Sequence, residues 1–243
     1  MTDYPNSIYA PRTKANRSGV VYDSTKQTVI FKEDIAKLDD EVVAIETDLE
    51  VFFDLIHWNS IDGFTQVKDG AGVITVLDAE VQLDSGIVTN NDTDLMSTGF
   101  YRGLVVAGKV LTIEFIVNYL SAITANKVWL YFCYPTGNPP YDEDDSVGFK
   151  IVNGEVFANN GDNIDKTQTT TGITLSAGNQ NTRLKFVFTP GTNCKFYVND
   201  VLKVTHTTRL TTKDQMRIYL GIQTTAEAAK TASFGRILIK KAY

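Results

Sequence analysis

The feature that most constrains this chain is a train of short apolar runs between residues 58 and 243, each cut off by a turn signal. In residues 110–117, Leu111, Ile113, Phe115 and Val117 interleave with Thr112, Glu114 and Ile116. A period of two is the strand period. Residues 127–134 are apolar on both faces, the mark of a central strand. Residues 148–158 place Asn153-Gly154 between two alternating runs, and this dipeptide suits a type I′ hairpin because both residues accept positive φ. Residues 182–188, 194–198, 201–205, 216–223 and 234–240 supply further strands, with turns at residues 190–193 and at Asn199-Asp200. Earlier runs are punctuated at residues 69–72 and at Ser85-Gly86, and the polar stretch 89–94 reads as a loop. About a dozen short strands with no helix among them predict an antiparallel β-sandwich over residues 57–243.

The N-terminal part obeys a different period. Residues 1–31 carry Pro5, Pro11, Asn6, Asn16 and Gly19 with few apolar anchors, and read as an extended attachment arm with short strands near its end. Ile35, Leu38, Val42, Ile45, Leu49, Phe52 and Ile56 follow in alternating steps of three and four, which predicts one short amphipathic α-helix over residues 32–56. Such a stripe calls for burial, either in a self-associated bundle or on the β-domain or a partner. Arg12, Lys14 and Arg17 make the arm the basic part of a protein with net charge −6, and are the candidates for attachment to a partner.

That net charge argues against a nucleic-acid groove, because phosphate binding needs a basic surface. The first twenty residues hold no apolar signal-peptide core, and the apolar runs are too short to span a bilayer. Cys133 and Cys194, both in expected strands, read as two buried thiols.

Chemistry-bearing motifs are sparse. The two histidines, His57 and His206, stand apart from any G-x-S-x-G context, so a nucleophile–histidine triad is not expected. Asp142/Asp144, Asp162/Asn163/Asp165 and Asn91/Asp92/Asp94 offer oxygen ligands for calcium. None has a closing bidentate Glu, and solvated turns account for them, so no cofactor is expected. Four aromatics carry the binding reading. Trp129 and Tyr131 alternate with Val128, Leu130 and Phe132, Tyr197 with Phe196 and Val198, and Tyr219 with Ile218 and Leu220. If the aliphatic sides form the interior, Trp129, Tyr131, Tyr197 and Tyr219 line the other face of one sheet as a glycan-stacking platform.

Two resemblances extend these readings. The "YPNSI" arm followed by "FKEDIAKLDDEVVAIETDL" resembles the N-terminal module of bacteriophage tail-fibre and virion-appendage proteins, although Lys37 replaces the common Asn and no Gly follows Leu49. The strand order around "FYVNDVLKV" and "MRIYLGIQTT" resembles the concanavalin A-like lectin/glucanase jelly roll. Laminarinase-type enzymes on that fold carry an E-x-D-x-(x)-E run, which is absent here. Together the resemblances imply a non-enzymatic virion structural protein of a bacteriophage, a fibre-like, receptor-binding or decorating component. It would be assembled in the host cytoplasm, attached to other virion proteins through its arm and helix, homo-oligomeric as a trimer, and directed at a host-surface glycan. The alternative is a glycan-binding module or inactive glycosidase-like protein of bacterial origin.

Overall fold

A computed structural model describes residues 52–68, 70–134 and 144–242, with side chains from Asp54 onward. The chain divides into compact units at residues 1–50 and 51–243, and the account below concerns the second. The arm, most of the expected helix, Arg12, Lys14, Arg17, and the stripe positions Ile35, Leu38, Val42, Ile45 and Leu49 lie outside the described residues.

The described chain is built from strands. It begins with β1 (Phe52–Ile56), β2 (Phe64–Lys68), β3 (Val73–Leu77), β4 (Glu80–Asp84), β5 (Asp92–Ser97), β6 (Val110–Leu120) and β7 (Asn126–Tyr134). It continues through β8 (Asp145–Val152), β9 (Glu155–Gly161), β10 (Lys166–Thr174), β11 (Gly178–Thr189) and β12 (Asn193–Val198). β13 (Val201–His206), β14 (Arg217–Thr224) and β15 (Thr231–Ala242) complete it. One sheet has eight strands in the order β13-β12-β11-β6-β15-β4-β3, with β1 also on β15. The other has seven, in the order β10-β9-β8-β7-β14-β5-β2. Neighbouring strands within both sheets pair antiparallel.

Alternation decides what each face buries. On β6, Leu111, Ile113, Phe115 and Val117 point inward, as do Val128, Leu130 and Phe132 on β7 and Ile218, Leu220 and Ile222 on β14. Phe186 and Phe196 bring the eight-stranded sheet against Phe149 of the seven-stranded one, with Phe149 and Phe196 edge-on at 5.4 Å. Trp58 is 1% exposed and donates its indole N–H to the Gly235 carbonyl at 2.6 Å. The hairpin at Asn153-Gly154 has φ of 50° and 81°, and that at Asn199-Asp200 has 48° and 63°, so both turns take the positive-φ geometry that two-residue hairpins need. Cys133 and Cys194 are both buried free thiols, and burial pushes the pKa of each well above its ordinary value.

Three sequence expectations change. The helical stripe was expected to run to Ile56, yet residues Phe52–Ile56 form β1, paired on β15 with Ile56 opposite Ile237. The segment FFDLI is aromatic and β-branched, and the open flank of β15 satisfies its backbone, so pairing wins over the helical spacing. Phe52 and Ile56 therefore belong to the sandwich; Ile56 packs on its core. The stretch 89–94, read as a loop, supplies the start of β5, and the threonine-rich β10 was not anticipated. Both are polar strands, and apolar periodicity is silent about strands with one polar face.

At one edge a polar cluster joins the two sheets. His206 on β13 bonds through Nδ1 to Asn160 on β9 and through Nε2 to Thr169 on β10, the latter at 3.0 Å. Burial lowers the His206 pKa from 6.5 to about 4.

The contacts of β1 generate a first prediction. Its Ile56 is partly buried on the core, and Tyr101 donates to the Asp54 carboxylate at 3.0 Å. Residues 51–243 should fold as an all-β unit, and a fragment starting at residue 58 should melt lower by roughly 2–4 °C for each kcal/mol lost. Equal melting temperatures would show that β1 contributes nothing. A second prediction follows from His206. Its folded pKa lies below the unfolded one, so the unfolded chain binds the extra proton between them. Stability from this group is complete above about pH 6.5 and falls as pH drops toward about 4. In His206→Gln that slope should flatten in denaturant titrations across this window, and an unchanged slope would refute the assignment.

Candidate functional site

The outer face of the seven-stranded sheet gathers more chemistry than any other described surface. Register assigns its residues to rows running across the strands. One row crosses β5, β14, β7, β8 and β9 through Met96, Tyr219, Tyr131, Gly148 and Asn159. The next crosses the same strands through Asp94, Gly221, Trp129, Lys150 and Phe157. Asp92 and Gln223 pair in a third row. Carboxylates thus stand at one end, aromatic rings in the middle, and an amide, a lysine and a phenylalanine at the other end.

Two glycines make room for the rings. A Cβ on Gly148 would run into the Leu130 carbonyl and come within 2.8 Å of the Tyr131 ring. A Cβ on Gly221 would run into the Asp94 carboxylate and come within 2.8 Å of the Tyr219 hydroxyl. Tyr219 therefore lies back along its own strand, over the bare backbone of Gly221, with its hydroxyl beside Asp94. Burial, reinforced by the Asp94 charge, holds that hydroxyl's pKa well above 10. The Lys150 ammonium lies 5.8 Å from the centre of the Trp129 ring, a cation–π contact.

The sequence placed Trp129, Tyr131 and Tyr219 on one outer face, and register shows them there together. It also placed Tyr197 with them, and that is corrected: Tyr197 is on β12 of the other sheet, under the Lys185 ammonium at 5.1 Å. Nor is the platform open. Trp129, Tyr131 and Tyr219 are 4%, 0% and 1% exposed and pack with Cys133 and Met96 as a second apolar cluster. Tyr131 and Tyr219 lie against the bare backbone of Gly148 and Gly221. The partly exposed outer-face groups around them include Lys127, Lys150, Phe157, Met96, Arg217 and Gln223.

Sequence reasoning missed Asp92 and Asp94 as a pair on one strand face. The signal was D-x-D, which alternation sends to the same side. On that face the next position is Met96, so β5 offers two carboxylates followed by a thioether. The Asp162 carboxylate accepts the backbone N–H groups of Ile164 and Asp165, each at 3.1 Å, and is bridged by Arg209 at 3.3 Å. Those bonds, outweighing partial burial, hold its pKa below the ordinary carboxylate range. Asp142 lies outside the described residues, and among the described residues no cluster of three or more acidic, His or Cys side chains could hold a metal.

Known proteins with this geometry are distant in sequence. The profile of the family described as "SO2946-like, C-terminal domain" matches residues 81–238. A crystal structure of the protein of unknown function SO2946 from Shewanella oneidensis MR-1 superposes with a TM-score of 0.57 at 12% identity, covering 89% of this chain and 96% of that one. The metal-free carbohydrate recognition domain of Emp46p gives 0.56 at 10% identity, covering 74% and 89%. A Bacillus licheniformis β-glucanase gives 0.53 at 15% identity, covering 78% and 97%. These likenesses establish a sandwich of the concanavalin A-like lectin/glucanase type. No curated protein matches the chain.

The glycine notch yields a test. Gly221→Ala should cost about 1–3 kcal/mol, because the new methyl meets both Asp94 and Tyr219. Removing the ring as well, in Gly221→Ala with Tyr219→Ala, should cost less than the sum of the single changes. Additive losses in urea unfolding would show that the notch and the ring are independent.

Proposed function

Because the chain belongs to the SO2946-like C-terminal domain family, we propose that its β-sandwich binds carbohydrate on the outer face of the seven-stranded sheet and does not hydrolyse it. The observation that carries the reading is the partly exposed part of that face, where the Phe157 ring stands beside Lys150, with Lys127 and Gln223 nearby, over a floor of buried rings. Sugars need this mixture: acceptors and donors for hydroxyls, and apolar surface for the C–H side of the ring. The lectin and glucanase neighbours support the same direction through their shared architecture. The buried rings of Trp129, Tyr131 and Tyr219 form the floor. Contact falls to the partly exposed Lys150, Phe157, Lys127 and Gln223.

Hydrolysis requires two carboxyl groups that flank the scissile bond as acid and nucleophile or base. Here Asp92 and Asp94 share one face of one strand and are 4% and 1% exposed, and Met96 stands at the third alternate position of β5. That pair puts no accessible acid opposite a nucleophile. A virion-anchored role would place the same sandwich on a particle surface, and its support is the resemblance of residues 4–49.

The reading is tested by calorimetry of the full chain against a panel of neutral oligosaccharides, mixed-linkage β-glucan fragments among them. Saturable binding is expected, and Phe157→Ala should weaken it about three- to tenfold, the loss of one ring contact. No reducing ends should accumulate on prolonged incubation. Absence of binding across the panel would refute the proposal, and steady release of reducing sugar would refute its non-catalytic part.

A further inference from the structure

A second cleft lies where the end of β1 meets the β2 end of the other sheet. Its volume is about 300 Å³, and Ile56, Phe64, Phe100 and Tyr101 supply its apolar wall. Asp62 is the charged group in its lining. We propose that this cleft is a binding site for a single neutral or amino-bearing sugar ring of hexose size. The proposal does not rest on the outer-face reading.

Size sets the first limit. At roughly 30 Å³ per water, the volume corresponds to about ten waters, or a ligand of about a dozen non-hydrogen atoms. It is at the small end of the range for ligand pockets.

The walls are held in place before any ligand arrives. Phe64 packs against Trp58 at 5.2 Å, and Tyr101 against Phe132 at 6.0 Å. Phe100 stacks on Tyr134 at 6.1 Å and carries the Arg217 guanidinium 4.0 Å from its centre. The Tyr101 hydroxyl is fixed on Asp54, and burial together with that carboxylate raises its pKa. The loops are tied as well. Thr98 donates its hydroxyl to the Gly63 carbonyl at 3.0 Å, and Ser97 donates to the Gly99 carbonyl at 3.1 Å. Fixed walls spare a ligand the ordering cost that weakens binding to mobile sites.

Chemistry sets the ligand class. Aromatic walls suit the C–H face of a pyranose. Among the described residues no cation pairs with the exposed Asp62, so its carboxylate is available to accept from hydroxyl or ammonium groups. The same charge disfavours an acidic sugar.

Gly99 provides the test. A Cβ added there meets nothing within 4 Å, and its φ is outside the region where side chains are strained. Gly99→Val should therefore fold normally while narrowing the cleft. The probes are glucosamine, glucose and glucuronate, which share a ring size and differ in charge. The readout is the backbone amide resonances of Gly63 and Gly99 in the full chain. Glucosamine and glucose should shift them saturably with millimolar affinity, the strength expected for a ligand this small. Glucuronate should bind at least threefold more weakly, Asp62→Asn should remove that difference, and Gly99→Val should weaken binding at least threefold. Three results would overturn the proposal: no saturable shift, an affinity read at Gly63 that is unchanged in Gly99→Val, or glucuronate binding as well as glucosamine. Shifts at Gly148 or Gly221 report on the outer face instead, so the two sites can fail separately.

Discussion

Everything in the seven-stranded sheet depends on β7 being apolar on both faces. Its inward side chains, Val128, Leu130 and Phe132, enter the sandwich core. Its outward ones, Trp129, Tyr131 and Cys133, form the second cluster with Tyr219. A slip of one residue would exchange the two sets, placing Trp129 and Tyr131 in space shaped for aliphatic chains. The flanking strands guard against this. Gly148 on β8 lies opposite Tyr131, and Gly221 on β14 lies opposite Trp129, so each bare position fits one alignment only. The outer-face chemistry is thus positioned by the same register that builds the core.

This division explains what the sequence revealed. The inner faces were legible because burial enforces strict apolar alternation, as in β6 and β14. Both two-residue hairpins were legible because Asn153-Gly154 and Asn199-Asp200 announce positive φ. The strand β5 was not, because Asp92, Thr93 and Asp94 give no apolar signal. Thr93 faces inward and donates its hydroxyl to the Asp84 carbonyl at 2.7 Å, so even its buried side is polar. The helical stripe misled at its end because Phe52 and Ile56 fit a three-and-four spacing by position. Whether such residues pair as a strand depends on β15, nearly 200 residues away, which no local pattern records.

For the candidate site, alternation identified which rings share a face but not how they lie on it. The notches at Gly148 and Gly221 admit Tyr131 and Tyr219 close to the backbone, in a cluster that is buried. Tyr197 shows the matching limit: strand alternation gives a side, and only sheet order says which sheet. The sequence read Tyr197 and Tyr219 alike, while topology put them on different sheets.

The polarity of β5 has a further consequence for motion. Proteins open locally where few apolar contacts oppose it, and each region has its own opening free energy below that of global unfolding. β5 is hydrogen-bonded between β14 and the five-residue edge strand β2, and only Leu95 among its residues joins the main core. β6 and β7, by contrast, are anchored by several buried apolar side chains each. What resists the opening of β5 is instead polar bonding: Thr93 donates to the Asp84 carbonyl at 2.7 Å, and Ser97 accepts the Ile218 N–H at 3.1 Å. The carboxylates of Asp92 and Asp94 are thus carried by a strand whose opening costs hydrogen bonds rather than apolar burial.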